Sequence, residues 1–304
     1  MTVLDGGLAT ELEARGHDLS DELWSARLLA DDPEEIVAVH EAFFRAGARI
    51  ATTASYQASF AGFAARGFDA RQTVALLHRS VELARKAGTR VDGPRWVAAS
   101  VGPYGATLAD GSEYRGRYGL SVAGLTAFHR PRAAALAEAR PDVLALETVP
   151  DVDEAVALLA AVEGLGVPAW LSYTIAGDRT RAGQPLAEAF AVAAGRDDVV
   201  AVGVNCCDPD DAARAIPVAR EVSGKPVIAY PNSGEEWDAA GRRWAGRSRF
   251  TPDRVAGADL AGGCCRVRPV DIEALAATRV SETPGHALSA PFGSRGAPFP
   301  RSVG

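Results

Sequence analysis

Eight short apolar runs rich in β-branched residues recur along the chain, and each ends in small or polar residues: Val3 to Asp5, Arg49 to Ala54, Trp96 to Val101, Val143 to Glu147, Ala169 to Thr174, Val200 to Cys206, Pro226 to Tyr230 and Asp259 to Gly263. Runs of this length and composition are strand signals. Between them lie segments of helical period: Pro33 to Ala46, Ala70 to Ala87, Val122 to Ala139, Val152 to Glu163, Leu186 to Ala194, Asp210 to Val222 and Val270 to Ala277. Strands that are apolar on both faces and alternate with helices predict a parallel sheet covered on both sides. Eight such repeats predict closure into one (β/α)8 TIM barrel, for which 304 residues is an ordinary length. The alternative is an open doubly wound sheet. It lacks support because Asp5-Gly6-Gly7, after the first run, is not a Gly-x-Gly-x-x-Gly fingerprint.

Local punctuation agrees with this reading. Asp32-Pro33-Glu34-Glu35 and Asp208-Pro209-Asp210-Asp211 put proline and carboxylates where a first helical turn favours them. Ala46-Gly47, Ala87-Gly88 and Ser223-Gly224 fit helix ends with glycine just beyond. The first three strand-to-strand spacings are long, with the extra residues around 16–32, 56–69 and 103–120, predicted to overhang the C-terminal mouth of the barrel. Residues 1–280 therefore read as one barrel domain, and 281–304, dense in Pro, Gly, Ser and Arg, as a draped or disordered tail.

Composition narrows the function classes. Lys plus Arg number 32 against 39 Asp plus Glu, a net charge of −7, so no attraction to nucleic acid or anionic membrane is expected. No stretch approaches a membrane span, and Met1 to Gly7 has neither a basic nor an apolar leader region, so the expectation is a soluble, cytoplasmic protein. The four cysteines form two adjacent pairs, Cys206-Cys207 and Cys264-Cys265. Neighbouring cysteines rarely bridge each other, which favours metal binding or thiol chemistry over a disulfide framework.

The reactive side chains stand at predicted strand ends: Asp5, Thr52 and Thr53, Glu147, Asn205 and Cys206, Tyr230 and Asn232, Cys264 and Cys265. On a barrel these converge at one mouth, where active sites of the fold lie. Cys206, Cys264 and Cys265 would supply three thiolates, the ligand number of a catalytic zinc site, and such a set selects a soft or borderline metal such as Zn²⁺, one per chain. Strand alternation turns Cys207 away, and Cys264 and Cys265 both reach a metal only if Gly262-Gly263 breaks the strand. The competing readings are buried apolar filler or a redox-active vicinal pair. Asp5 and Glu147 suit an ammonium group or acid–base work, against the plainer roles of a helix cap or turn residue beside Gly6-Gly7 for Asp5 and an internal partner of an arginine for Glu147. Trp24, Tyr56, Tyr104 and Tyr118 lie in the overhanging loops, where rings can pack on a cationic ligand. The five histidines have no metal-ligand spacing.

Six motifs in order then carry a family likeness: Leu4 to Leu12 (LDGGLATEL), Ser100 to Ala106 (SVGPYGA), Glu147-Thr148, Gly203 to Cys206 (GVNC), Tyr230 to Glu235 (YPNSGE) and Gly262 to Arg266 (GGCCR). Together they resemble the zinc-dependent homocysteine S-methyltransferases over about residues 3 to 278. The resemblance implies zinc held by Cys206, Cys264 and Cys265, and methyl transfer to homocysteine giving methionine. It implies Asp5 and Glu147 on the homocysteine amino group, Asn205 orienting ligand or substrate, and Ser100 to Gly102 bordering the pocket. Trp24, Tyr56, Thr53, Tyr230 and Asn232 are the donor-side candidates. The short, single-domain branch that the chain resembles uses a sulfonium donor, S-methylmethionine or S-adenosylmethionine. The betaine branch carries an aromatic after the fourth-strand glutamate, where this chain has Thr148. Other readings are a different thiol or selenol acceptor and a non-catalytic zinc-stabilised binding protein. Arg268, shortly after the cysteine pair, departs from the smaller residues of the family pattern.

Overall fold

The computed structural model describes residues 1–19, 23–238 and 243–278; the segment 281–304, read above as a tail, lies outside the described residues. Eight parallel strands form one sheet: β1 (Thr2–Val3), β2 (Ile50–Thr52), β3 (Trp96–Val101), β4 (Val143–Val149), β5 (Ala169–Tyr173), β6 (Val199–Asn205), β7 (Val227–Tyr230) and β8 (Leu260–Ala261). Neighbours pair in chain order, and β8 pairs with β1. A parallel bridge between Leu4 and Ile50 closes the ring, so the sheet has no free edge.

The helices that alternate with the strands are α1 (Pro33–Arg45), α2 (Ala70–Thr89), α3 (Val122–Glu138), α4 (Val152–Val162), α5 (Leu186–Ala191), α6 (Pro209–Ser223) and α7 (Pro269–Ala277), and three short helices, Leu8–Ala14, Leu28–Asp31 and Phe60–Ala65, lie in the segments after β1 and β2. Proline opens α1 and α6 as the sequence predicts, and the Asp208 carboxylate accepts from the Asp210 N–H at 2.8 Å. One stop is different. α2 runs past Gly88 to Thr89, whose hydroxyl returns to the Lys86 carbonyl at 2.8 Å, and the left-handed residue of the reversal is Gly93. Between β7 and β8 the chain makes a short antiparallel hairpin (Glu236–Asp238 with Arg243–Ala245) and the 3-10 turn Pro252–Val255, so no α-helix occupies that position among the described residues. No helix among them is long and apolar enough to cross a membrane.

Two apolar layers follow from the two faces of each strand. The inner layer fills the barrel with Leu4, Ile50, Trp96, Ala98, Val143, Ala145, Trp170, Ala201, Ile228, Tyr230 and Leu260, large rings set against alanines. The outer layer, between strands and helices, holds Val97, Leu144, Leu171, Val202 and the buried faces of the helices. Continuing the inner series by twos along the strands reaches Thr52, Ser100, Glu147, Ser172, Gly203 and Asn205. The inward face thus changes from apolar to polar at the C-terminal end.

The strands approach closely on this face. Gly203 pairs with Ile228, and a Cβ placed on Gly203 would lie 1.8 Å from the Ile228 carbonyl oxygen, which belongs to the backbone and cannot rotate away. Gly203→Ala is therefore expected to destabilise the fold by about 3 kcal/mol, the upper range for overpacking. Denaturant unfolding checks this, and a change below about 0.5 kcal/mol would show that β6 and β7 separate freely.

Candidate metal and substrate site

Three strands, β4, β6 and β8, reach the mouth by a local departure from regular backbone. β6 ends at Asn205, and Cys206 takes a left-handed conformation with φ +50°. In β4, Thr148 has φ +58° beside a register shift between Leu146 and Val149. Such a φ is strained for a β-branched residue, and strain of this kind persists only where surrounding bonds over-determine it. The Asn205 amide supplies them: its oxygen accepts from the Thr148 N–H and its NH₂ donates to the Thr148 hydroxyl, both at 2.7 Å.

β8 stops at Ala261, so Cys264 and Cys265 lie in the loop beyond Gly262-Gly263. The Cys264 N–H donates to the Pro231 carbonyl (2.7 Å), and the Cys265 N–H to the Asn232 side-chain oxygen (3.1 Å). Gly6 and Gly7 pack against the same loop. A Cβ on Gly7 would come 2.6 Å from the Cys264 carbonyl oxygen, so the motif that follows Asp5 needs glycine for close backbone approach.

The Sγ atoms of Cys206, Cys264 and Cys265 all lie within 4.8 Å of one another, and Cys206 and Cys265 are 3.7 Å apart. Tetrahedral metal–sulfur bonds of about 2.3 Å set sulfur–sulfur edges of about 3.8 Å, so the donor set and spacing fit a thiophilic cation. Hydrogen bonds from the other two sulfurs hold the Cys265 thiol well below the ordinary range, while the same contacts push Cys264 up. Cys207 turns into the outer apolar layer. All four cysteines are free thiols.

Asp5 and Glu147 are buried in the same mouth without a cation. Asp5 accepts from the Thr52 N–H (2.7 Å) and the Thr52 hydroxyl (3.0 Å). Glu147 accepts from the Ser100 hydroxyl and from the Tyr230 hydroxyl (3.0 Å). Burial pushes Asp5 up to about 8 and Glu147 up to about 7, the charge of Glu147 adding to the shift on Asp5 and that of Cys206 to the shift on Glu147. Neither a turn role for Asp5 nor an arginine partner for Glu147 is present among the described residues.

The donor-side candidates occupy varied places. Tyr230 rises inside the barrel, where its hydroxyl meets Trp170 Nε1 (3.1 Å) and Ser172 Oγ (2.7 Å) beneath Glu147. Thr53 Oγ1 accepts from the Ser100 N–H at 3.0 Å and meets Ser55 Oγ at 2.7 Å. The Tyr56 hydroxyl is within reach of Thr148, near Cys206 and Glu147, and the Tyr56 ring packs on Gly102, where a Cβ would lie 2.7 Å from it. Trp24 opens the turn Trp24–Arg27, and its side chain lies outside the described residues. Arg268 pairs with Glu11 (3.0 Å). The sequence reading missed Tyr114 and Glu113, in the turn Ser112–Tyr114 of the β3–α3 loop. The Tyr114 hydroxyl lies 3.0 Å from Cys206 Sγ, whereas Tyr104 and Tyr118, which the sequence reading singled out, pack on each other with centroids 5.2 Å apart.

The homocysteine S-methyltransferase family profile matches residues 2–279. The chain belongs to the homocysteine S-methyltransferase family. Among its relatives, the homocysteine S-methyltransferase of Escherichia coli (strain K12) is 47% identical over 291 residues, covering 90% of this chain and 94% of that one. Homocysteine S-methyltransferase YbgG of Bacillus subtilis (strain 168) is 41% identical over 295 residues, covering 91% and 94%. The crystal structure of the E. coli homocysteine methyltransferase MmuM in its metallated form is 46% identical, with a TM-score of 0.81 over 91% of this chain and 96% of that chain. In this member of the homocysteine S-methyltransferase family the three-cysteine cluster and the two acids are thus parts of one mouth.

The two acids make stability depend on pH. In acid both carboxyls are protonated in the folded and unfolded chain alike. As pH rises past the ordinary values of 3.8 and 4.5 the unfolded chain ionises, while the fold keeps its protons until about 7 at Glu147 and about 8 at Asp5. The folded state then binds more protons, so stability falls across this window and levels off above it. Glu147→Gln is expected to melt above the unsubstituted protein at about pH 9, with the difference vanishing near about pH 4. A difference independent of pH would contradict the assignment.

Proposed function

We propose that the protein is a zinc-dependent enzyme transferring a methyl group from a sulfonium donor, S-methylmethionine or S-adenosylmethionine, to the thiol of homocysteine, giving methionine. The observation that carries this reading is the pairing, in one barrel mouth, of three thiols spaced for a thiophilic metal with two buried acids that no cation of the described chain neutralises. An aminothiol is the complementary ligand.

A zinc ion held by Cys206, Cys264 and Cys265 would supply the acidity that converts a bound thiol to thiolate at neutral pH. The acids orient the other end of the acceptor. A carboxylate has about four lone-pair positions. Each Asp5 and Glu147 oxygen spends one on the protein, which leaves positions for the three N–H bonds of an ammonium group. That positive charge favours ionised acids, so the ammonium and the carboxylates stabilise each other in a site that excludes water. Trp170 and Ser172 beneath the Tyr230 hydroxyl direct its proton to Glu147 and fix the carboxylate in place. Thr148, locked by Asn205, and Cys206, whose N–H donates to the Tyr230 carbonyl (3.2 Å) and whose carbonyl accepts from the Thr174 hydroxyl (3.0 Å), keep the acid and thiol ends in register.

The transfer balances without an external oxidant or reductant. A lone pair on the acceptor sulfur forms the new S–CH₃ bond while the donor's S–CH₃ bond breaks toward its own sulfur. The donor leaves as a neutral thioether and the thiol proton is released. Holding both reactants in one mouth would lower the barrier by orientation. Thr148, in place of a ring beside Glu147, supports a sulfonium over betaine.

Methionine formation from homocysteine with S-methylmethionine, S-adenosylmethionine or betaine, before and after metal removal, tests the reading. A sulfonium is expected to support turnover, with about one zinc per chain. Cys264→Ala is expected to lose both zinc and turnover, and Cys207→Ala, in the outer layer, to keep both. Turnover that survives chelation, or no turnover with any donor, would overturn it.

A further inference from the structure

Glu113 is a buried acid that the chemistry above does not use. It sits in the turn Ser112–Tyr114, next to the tyrosine whose hydroxyl reaches Cys206 Sγ. The residue is 9% exposed, and its Oε2 is buried with no hydrogen-bond partner among the described residues. Glu154 shares the undonated Oε2 but has its other oxygen engaged, and the mouth acids are fully partnered. Asp5 and Glu147 each accept two donors, and Glu154 accepts from the Tyr104 N–H at 2.6 Å and faces His129 Nε2 at 3.0 Å. A buried carboxylate oxygen without a donor is costly in itself, and a native structure keeps one only for a reason.

The surroundings say what would complete it. Burial, with smaller contributions from Cys206 and Asp110, raises the Glu113 carboxyl above the ordinary range. Tyr114, next to Glu113 in the turn, joins it to the metal-binding end of the mouth through its hydroxyl on Cys206 Sγ, and Glu113 and Cys206 both act electrostatically on Tyr56. Arg181 is committed to the Tyr114 ring, 5.5 Å from its centroid. A buried, undonated acid in the same turn as the tyrosine that touches the three-cysteine cluster is a receptor for a cation.

We propose that Glu113 binds the positive charge of the methyl donor and thereby selects a cationic donor. The proposal rests on the reading of the protein as a sulfonium-dependent methyltransferase. A donor of this class carries two positive groups, the sulfonium, which becomes neutral on transfer, and the ammonium, which does not. Charge recognition by Glu113 serves either.

Steady-state kinetics of Glu113→Gln and Glu113→Asp test this on the metal-loaded enzyme. Glu113→Gln is expected to raise the donor KM by about tenfold or more, with the loss falling on that KM rather than on kcat or the homocysteine KM. Glu113→Asp is expected to recover part of it. Inhibition by S-adenosylhomocysteine, the thioether left by S-adenosylmethionine, separates the two sources: an unchanged inhibition constant in Glu113→Gln places the contact on the sulfonium, and a parallel rise places it on the ammonium. The melting temperature of Glu113→Gln is expected not to fall, because an amide is cheaper to bury than an undonated carboxylate. A donor KM within twofold of the parent, or a lowered melting temperature with a raised homocysteine KM, would overturn the proposal. An unsubstituted enzyme inert toward every sulfonium would instead remove the reading of the reaction.

Discussion

The mouth of the barrel concentrates acids and thiols that no cation among the described residues neutralises, and most of the local architecture serves to hold them there. Asp5 and Glu147 are buried with neutral donors only, which is why both are pushed toward the protonated form. Such groups persist because every contact around them is fixed: Thr52 on one acid, Ser100 and Tyr230 on the other, with Trp170 and Ser172 under Tyr230. The hydrogen-bond chain runs from the acid into the packed interior of the barrel. Charge at the mouth and packing in the core are therefore one construction, and the charge it lacks is what an ammonium ligand or a metal would bring.

Backbone strain is placed at the same point. Thr148 and Cys206, at the ends of β4 and β6, both take left-handed conformations, and the Asn205 amide bonds both polar groups of Thr148. Without that lock, relaxation of Thr148 would swing Glu147 out of line; Cys206 is held by the Tyr230 carbonyl and the Thr174 hydroxyl instead. The cost of about 1–3 kcal/mol per strained residue is carried by a closed ring of eight strands with rings as large as Trp96 and Trp170 inside it.

Much of this was readable from residues alone. Each of the eight apolar runs became a strand, because strands buried on both faces need continuous β-branched sequence. Helix starts at Pro33 and Pro209 followed from cap chemistry, whereas the stop at Gly88 failed because a glycine within a helix is tolerated and α2 ran on. Period two along the strands put Glu147, Ser100 and Asn205 on the inward face, and the Gly-Gly pair before Cys264 gave the strand break that brings both neighbouring cysteines to Cys206. The loops were less readable. The length of the β3–α3 loop was visible, but which side chains turn inward depends on two 3-10 turns and the left-handed Ala109 and Gly111 between them. Tyr104 and Tyr118 stood out by residue type and pair with each other, while Tyr114 is the one at the sulfur. Glu113 carried no signal at all, since a single acid in a polar loop is ordinarily a solvated one.

The proposed reaction requires one mouth to recognise both ends of an aminothiol. Calorimetric titration of the zinc-loaded protein with homocysteine, with homoserine (sulfur replaced by oxygen) and with 4-mercaptobutanoate (amino group removed) tests it directly. Homocysteine is expected to bind at least about tenfold more tightly than either analogue, a difference of about 1.4 kcal/mol for each lost end. Equal affinity for homocysteine and 4-mercaptobutanoate would contradict the role of Asp5 and Glu147, and equal affinity for homoserine would contradict the role of the three-cysteine cluster.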